Sequence, residues 1–182
     1  MGRAALVSLL SIQMFIGYEW LMSGAAKLVR GGFASGLEDE LREKSAGVAG
    51  WYQSFIDSVV LPNARLFGYL IEVAELMVGA TLLLVAIVWI WRGDRLSTRA
   101  RRPLLIAILV AASSAVVMNA NFHFANGSAH PWLIPEDGFD EGVDLDSLMP
   151  LIEIVLIVFA ARLLALSRAA HEPQRRSVPT GQ

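Results

Sequence analysis

Residues 68–84, GYLIEVAELMVGATLLL, carry two carboxylates three positions apart, Glu72 and Glu75, in an otherwise apolar run. Similar intrusions occur elsewhere. Glu19, Trp20 and Lys27 stand in GYEWLMSGAAKL, Asn119 and His123 in VVMNANFHF, and Glu153 in MPLIEIVLIV. Carboxylates grouped with an ammonium, an imidazole and an amide can relay protons, hold a cation, or pair across helices as structural glue. Which of these applies depends on the elements that carry them.

Those elements read as membrane spans. The chain has 182 residues, 55% hydrophobic and 18% charged. That balance fits a small polytopic membrane protein. Four stretches, 4–28, 66–91, 103–121 and 148–166, meet the length of about 20 apolar residues that crosses a bilayer core. Each is expected to be helical, because a span in lipid must satisfy its own backbone hydrogen bonds. The expected architecture is all-α: a polytopic four-helix transmembrane bundle over 1–168, then a disordered cytoplasmic tail at 169–182. The amino-terminal run resembles a secretory signal in outline. It is long for one and is interrupted by Glu19, so it reads as a retained first helix.

With no cysteine, disulfides, thiolate metal sites and iron–sulfur clusters are not expected. Of the three histidines only His123 lies near a span, so bis-histidine haem is not expected either. Nothing in the composition calls for nucleic acid.

Basic residues near the span ends give an orientation. Arg92, Arg95, Arg99, Arg101 and Arg102 crowd the second loop, and Arg162, Arg168, Arg175 and Arg176 the carboxy-terminal end. The third loop has no Lys or Arg and six acids. Both termini are therefore placed in the cytoplasm of a cell whose plasma or inner membrane holds the protein. The first loop, with five bases balanced by five acids, lies outside. Within it, GWYQSFIDSVVLPN (50–63) puts Trp51, Phe55 and Val59 on one helical stripe, with Tyr52, Ile56 and Val60 beside them. This segment is expected to be a short amphipathic helix, either lying at the outer interface or packed on top of the bundle, and ended by Pro62.

Depth follows from the helical rise. Glu72 and Glu75 fall about 9 and 14 Å below the outer end of span two, and Glu19 about 14 Å below that surface. Asn119 and His123 lie close to that same surface and Glu153 about one turn in, while the inner half of every span is almost purely apolar. Spacing directs the polar groups inward. Gly68, Glu72, Glu75 and Gly79 share one face, as do Gly17, Trp20, Gly24 and Lys27, with Glu19 and Ser23 alongside. Ala112, Ala115, Asn119 and His123 form a third. Small residues on such a stripe mark helix contacts in membranes. A charge near mid-membrane costs about 2.5–3.5 kcal/mol on insertion scales. The acids are therefore expected to pair with Lys27, Arg30, Arg65 or His123, or to be neutral in part, and a neutral carboxyl can exchange protons.

The patterns GYEWLMSGAAKL and LPNARLFGYLIEVAELMVGATLLL resemble the DoxX/DoxD-like membrane proteins, which include the membrane subunit of thiosulfate:quinone oxidoreductase. Gly24 and Lys27 match the close of the family's first span. Gly79, with either Glu72 or Glu75, matches its second, and the resemblance covers residues 10 to 125. It implies a four-helix bundle, other subunits of a respiratory or redox complex as partners besides membrane lipid, and contact with quinone. On that reading Glu72, Glu75 and Glu19 relay protons. Lys27 with His123 or Asn119 binds the head group, Trp20 forms a wall, and Glu153 faces the same space. Electrons would come from a partner. Three other readings compete: a non-catalytic anchor or assembly subunit; a carboxylate/His metal bundle, although no span carries Glu-x-x-His; and a proton-coupled carrier of a small solute. Trp89, Trp91 and Trp132 read as interfacial anchors, the second-loop arginines as topology determinants, and His130 and His171 as solvated.

Overall fold

The computed structural model describes residues 3–44, 48–126 and 145–169. Most of the acidic segment between spans three and four, His130, Trp132, His171 and the tail from residue 170 onward lie outside the described residues.

Among the described residues six α-helices follow in order: α1 (Arg3–Arg30), α2 (Phe33–Lys44), α3 (Gly50–Phe55), α4 (Ala64–Arg92), α5 (Thr98–Ala125) and α6 (Leu145–Ala169). The described residues contain no strand. Four of the helical stretches are long and apolar enough to cross a membrane. Each contains one of the expected spans or most of it, although the second, Gly50–Arg95, begins well before residue 66, and the all-α four-helix bundle is as expected. Their outer faces carry Phe15, Tyr18, Val73, Met77, Leu84, Val110, Val117 and Val158, all exposed, as a lipid-facing surface requires.

The bundle has three close seams and one loose one. α1 lies against α4, α4 against α5 and α5 against α6, whereas α1 and α6 barely touch. The α1–α4 seam is made by glycines. A Cβ on Gly79 would lie 2.3 Å from the Leu21 backbone nitrogen, one on Gly17 2.9 Å from Leu83 N, and one on Gly24 2.8 Å from Leu76 N. No side chain fits there, so the backbones approach closely. Ala111, Ala112 and Ala115 of α5 and Ala160 of α6 are buried in the same core cluster.

One end of the bundle is capped. Gly31 and Gly32 take positive φ, 68° and 84°, and turn the chain out of α1. α2 then folds back onto α4, where a Cβ on Gly68 would stand 2.4 Å from Ala34 Cα. Leu37 and Leu41 of α2 join Tyr52 and Ile56 of the next helical stretch in a second apolar cluster. α2 falls within the expected first loop, where no helix over 33–44 is anticipated. Its signal is Leu37 and Leu41 one turn apart, with exposed i,i+4 pairs Glu38–Arg42 and Glu40–Lys44 on the other side.

The expected helix over 50–63 is present but does not stop at Pro62. A π-helical turn (Ile56–Val60) and a 3-10 turn (Leu61–Asn63) carry α3 straight into α4. Widening and then tightening the helix absorbs the proline's missing donor and ring. Tyr52 and Ile56 are buried in the cap, whereas Trp51, Phe55 and Val59 are exposed in part. Trp51 also meets Phe124 of α5 edge-on, with ring centroids 5.3 Å apart, so the segment packs on the bundle.

The opposite end carries the arginines. Ser97 caps α5 by accepting from Ala100 N at 3.3 Å. Arg101 donates to the Gly93 and Leu96 carbonyls at 2.8 and 3.1 Å, so this arginine also closes the α4–α5 turn. Trp91 is exposed as an anchor should be. Trp89 is not an anchor: it is 8% exposed and packed in the core beside Gly93.

A buried carboxylate cluster at the capped end

α1 and α4 run antiparallel, which brings Lys27 near the end of one to the carboxylates near the start of the other. Lys27 Nζ lies 2.7 Å from both Glu75 oxygens and donates to Ser23 Oγ at 2.8 Å. The Glu75 side chain is 1% exposed and that of Lys27 23%. A buried carboxylate held by an ammonium from a facing helix is the arrangement that lets a charge survive away from water. Ser23, one turn before Lys27, restrains the ammonium from its own helix.

A second buried carboxyl lies across the bundle. Glu153 of α6 is fully buried, and one of its oxygens accepts from Trp20 Nε1 at 2.8 Å. The Asn119 amide of α5 donates to both oxygens at 3.2 and 3.1 Å. Glu153 therefore ties α1, α5 and α6 together, and Trp20 Nε1–H bridges the loose α1–α6 seam. Indoles are buried where their N–H finds an acceptor.

Between these two centres is a cavity of about 170 Å³, lined by Glu19, Trp20, Ser23, Lys27, Glu75, Asn119, Phe122 and Met149. The structure thus brings together Glu19, Trp20, Lys27, Glu75 and Asn119, and fastens Glu153 behind two of them. Glu19 departs from expectation: it lies on the exposed side of α1 and reaches the cavity at its rim, because the helical turn places it beside the buried Trp20 face.

Glu72 and His123 are buried as expected, but neither lines this cavity. Glu72 faces the interior one turn outward of Glu75 and makes no hydrogen bond or ion pair among the described residues. His123 lies one turn beyond Asn119, its ring edge-on to Phe124 with centroids 5.6 Å apart. Arg30 and Arg65 do not enter the cluster. Both are exposed, and Arg65 lies 5.9 Å over the Tyr69 ring. Among the described residues no three acidic or imidazole groups converge to hold a metal ion.

A larger cavity, about 540 Å³, opens between the cap and the bundle. Lys27 and Phe122 line both cavities. α3 is tied to α5 by Tyr52, whose hydroxyl donates to Asn121 Oδ1 at 2.9 Å. α2 reaches the same helix end through Lys44 and Asn126, 3.5 Å apart.

Sequence reading also missed Gln13. Its amide is 1% exposed and donates to the Leu82 carbonyl of α4 at 2.8 Å. A lone amide in the apolar run SIQMFIG was the available signal.

Fold and site together define a class: an all-α membrane-embedded four-helix bundle with a buried ion pair and a second buried carboxyl gathered at one end. Comparison with protein-family models, curated proteins and solved structures gives no match to this chain.

Proposed function

We propose that this chain is a DoxX/DoxD-like membrane subunit of a redox complex, which receives a quinone head group in the polar cavity at the capped end. The observation that carries the reading is one cavity lined by Lys27, Glu75, Trp20 and Asn119 together. Reduction of a quinone requires hydrogen bonds at two carbonyl oxygens and delivery of two protons. Lys27 of α1 and Asn119 of α5 are the donors, and Trp20 and Phe122 are its apolar walls. Glu75 and Glu19 are proton-exchanging groups beside it. Glu72, buried one turn outward, extends that set, and His123 continues the Asn119 face of α5. Electrons come from a partner subunit, since the residues supply no redox centre. The loop arginines favour an orientation with the capped end on the outer side of the cell's plasma or inner membrane and both termini in the cytoplasm.

The test is purification in mild detergent from native membranes, with mass spectrometry of bound lipids and of co-purifying proteins. Quinone retained by the wild type and lost in Glu75→Gln or Lys27→Met, with partners unchanged, is the expected result. No quinone in any sample, with partners unchanged, rejects it.

A second reading has its own observation. The Lys27–Glu75 pair and the Trp20–Glu153–Asn119 set each join helices from different parts of the chain, as an assembly subunit or anchor requires. Under that reading the same variants lose partners or fold and show no ligand dependence.

A further inference from the structure

The larger cavity differs from the polar one in chemistry as well as size. Its inner wall is Phe33, Leu37, Leu41, Ile56, Phe67 and Ile71, contributed by both cap segments and by α4. Its charged residues stand at two places only: Glu40 and Lys44, which pair with each other at 2.8 Å on α2, and Lys27 at the junction with the polar cavity. The Tyr52 hydroxyl is bound to Asn121, so its polar atom is already satisfied. Three times the volume of the polar space is thus walled mainly by hydrocarbon, at the end of a bundle whose sides are apolar enough for lipid. An apolar volume of this size fits an apolar guest better than water, which needs two to four polar partners.

Lys27 fixes how such a guest would lie. Its ammonium holds Glu75 on one side and stands 5.1 Å from the Phe33 ring centroid on the other. Phe122, 6.4 Å from Trp20 between ring centroids, is the second residue common to both spaces. A molecule with its polar head against Lys27, Asn119 and Glu75 would pass between Lys27 and Phe122, and its chain would then lie under the cap.

We infer that the apolar cavity under α2 and α3 binds the hydrocarbon chain of a membrane amphiphile whose head group occupies the polar cavity. The ligand class is therefore a chain-bearing lipid, and a free water-soluble solute is excluded as the natural occupant. This rests on the proposed head-group site and adds the chain to it. The chain chemistry is shared by an isoprenoid quinone and an acyl lipid, and the two are separated by the experiment.

The experiment uses the purified full chain in detergent, a benzoquinone bearing a decyl chain, and the same ring without the chain. Ile71→Trp from α4 and Met118→Trp from α5 each fill the apolar cavity from a different helix. Thermal unfolding checks that each variant is folded, and a variant that is not is replaced by Val60→Trp. In the wild type the decyl compound is expected to bind about tenfold tighter or more, because a few buried methylenes suffice for that ratio. The filled variants are expected to lose this advantage while binding the bare ring as the wild type does. A chain advantage that survives in both folded variants overturns the inference. If neither ring binds, the quinone reading fails, and the lipids that co-purify decide the rest. Acyl lipid held by the wild type and lost from both variants keeps the chain site, whereas an identical lipid complement in all three overturns it.

Discussion

Lys27 and Glu75 are not replaceable one at a time. Removing the carboxylate leaves an ammonium facing the bundle interior with the Ser23 hydroxyl and the Phe33 ring but no counter-charge, and breaking a buried pair in this way costs about 3–5 kcal/mol. Glu75→Gln is therefore expected to lower stability by about 3 kcal/mol, the lower part of that range because Lys27 is partly solvated. Replacing both partners, Lys27→Met with Glu75→Met, should recover most of the loss. Unfolding in a single detergent, followed by circular dichroism, measures all three. Glu72→Gln provides the contrast: it breaks no pair and should change stability by less than about 1 kcal/mol. Trp20→Phe keeps the ring packing and deletes the hydrogen bond to Glu153, at an expected loss of about 1–3 kcal/mol. Equal effects of Glu72→Gln and Glu75→Gln would contradict the pairing described here.

At the scale of elements, glycine positions carry the predictions. Gly79→Ala places a carbon against the Leu21 backbone, which cannot yield as a side chain tip can. It should separate α1 from α4 and destabilise the bundle by about 2 kcal/mol or more. Gly68→Ala meets the backbone of Ala34 instead. It should loosen α2 selectively, seen as faster amide exchange over residues 33–44 with the spans still protected. Gly36, with open space around its α-carbon, is the control: Gly36→Ala should stabilise α2 by about 0.5–1 kcal/mol. These contacts were partly legible beforehand. The stripes Gly17–Gly24 and Gly68–Gly79 announced where helices meet, since spacing alone fixes a helical face. They did not announce that Gly68 would meet α2 in place of another span. That depends on the turn at Gly31 and Gly32, whose positive φ is invisible in composition. The continuation of α3 into α4 past Pro62 was likewise hidden, because a π turn leaves no mark in hydrophobic period.

For the molecule as a whole, the sequence read well wherever lipid makes the decision. Span number, helical state and the inward aim of Glu75, Glu153 and Asn119 all follow from the cost of polar groups in hydrocarbon. Which donor takes which acid does not follow from it. Lys27 chose Glu75 and Trp20 chose Glu153 through the relative heights of four helices, and no local pattern encodes those heights. Orientation is testable directly because the chain has no native cysteine. In intact cells, a membrane-impermeant thiol reagent should label Ser58→Cys at the capped end. Asp94→Cys at the arginine end should be labelled only after permeabilisation. The reverse pattern would invert the proposed sidedness and move the cavities to the cytoplasmic side.

The seam between α1 and α4 has one further consequence. Gly17 meets Leu83, Leu21 meets Gly79 and Gly24 meets Leu76, a constant antiparallel register that brings Lys27 level with Val73, beside Glu72. Lys27 nevertheless reaches back about half a turn to Glu75. Two oblique ties cross this seam at different levels: Lys27 to the Glu75 carboxylate, and the Gln13 amide to the Leu82 carbonyl. With leucines seated against the glycines between them, they pin α1 against sliding along α4 and so hold the polar cavity at one depth in the bundle.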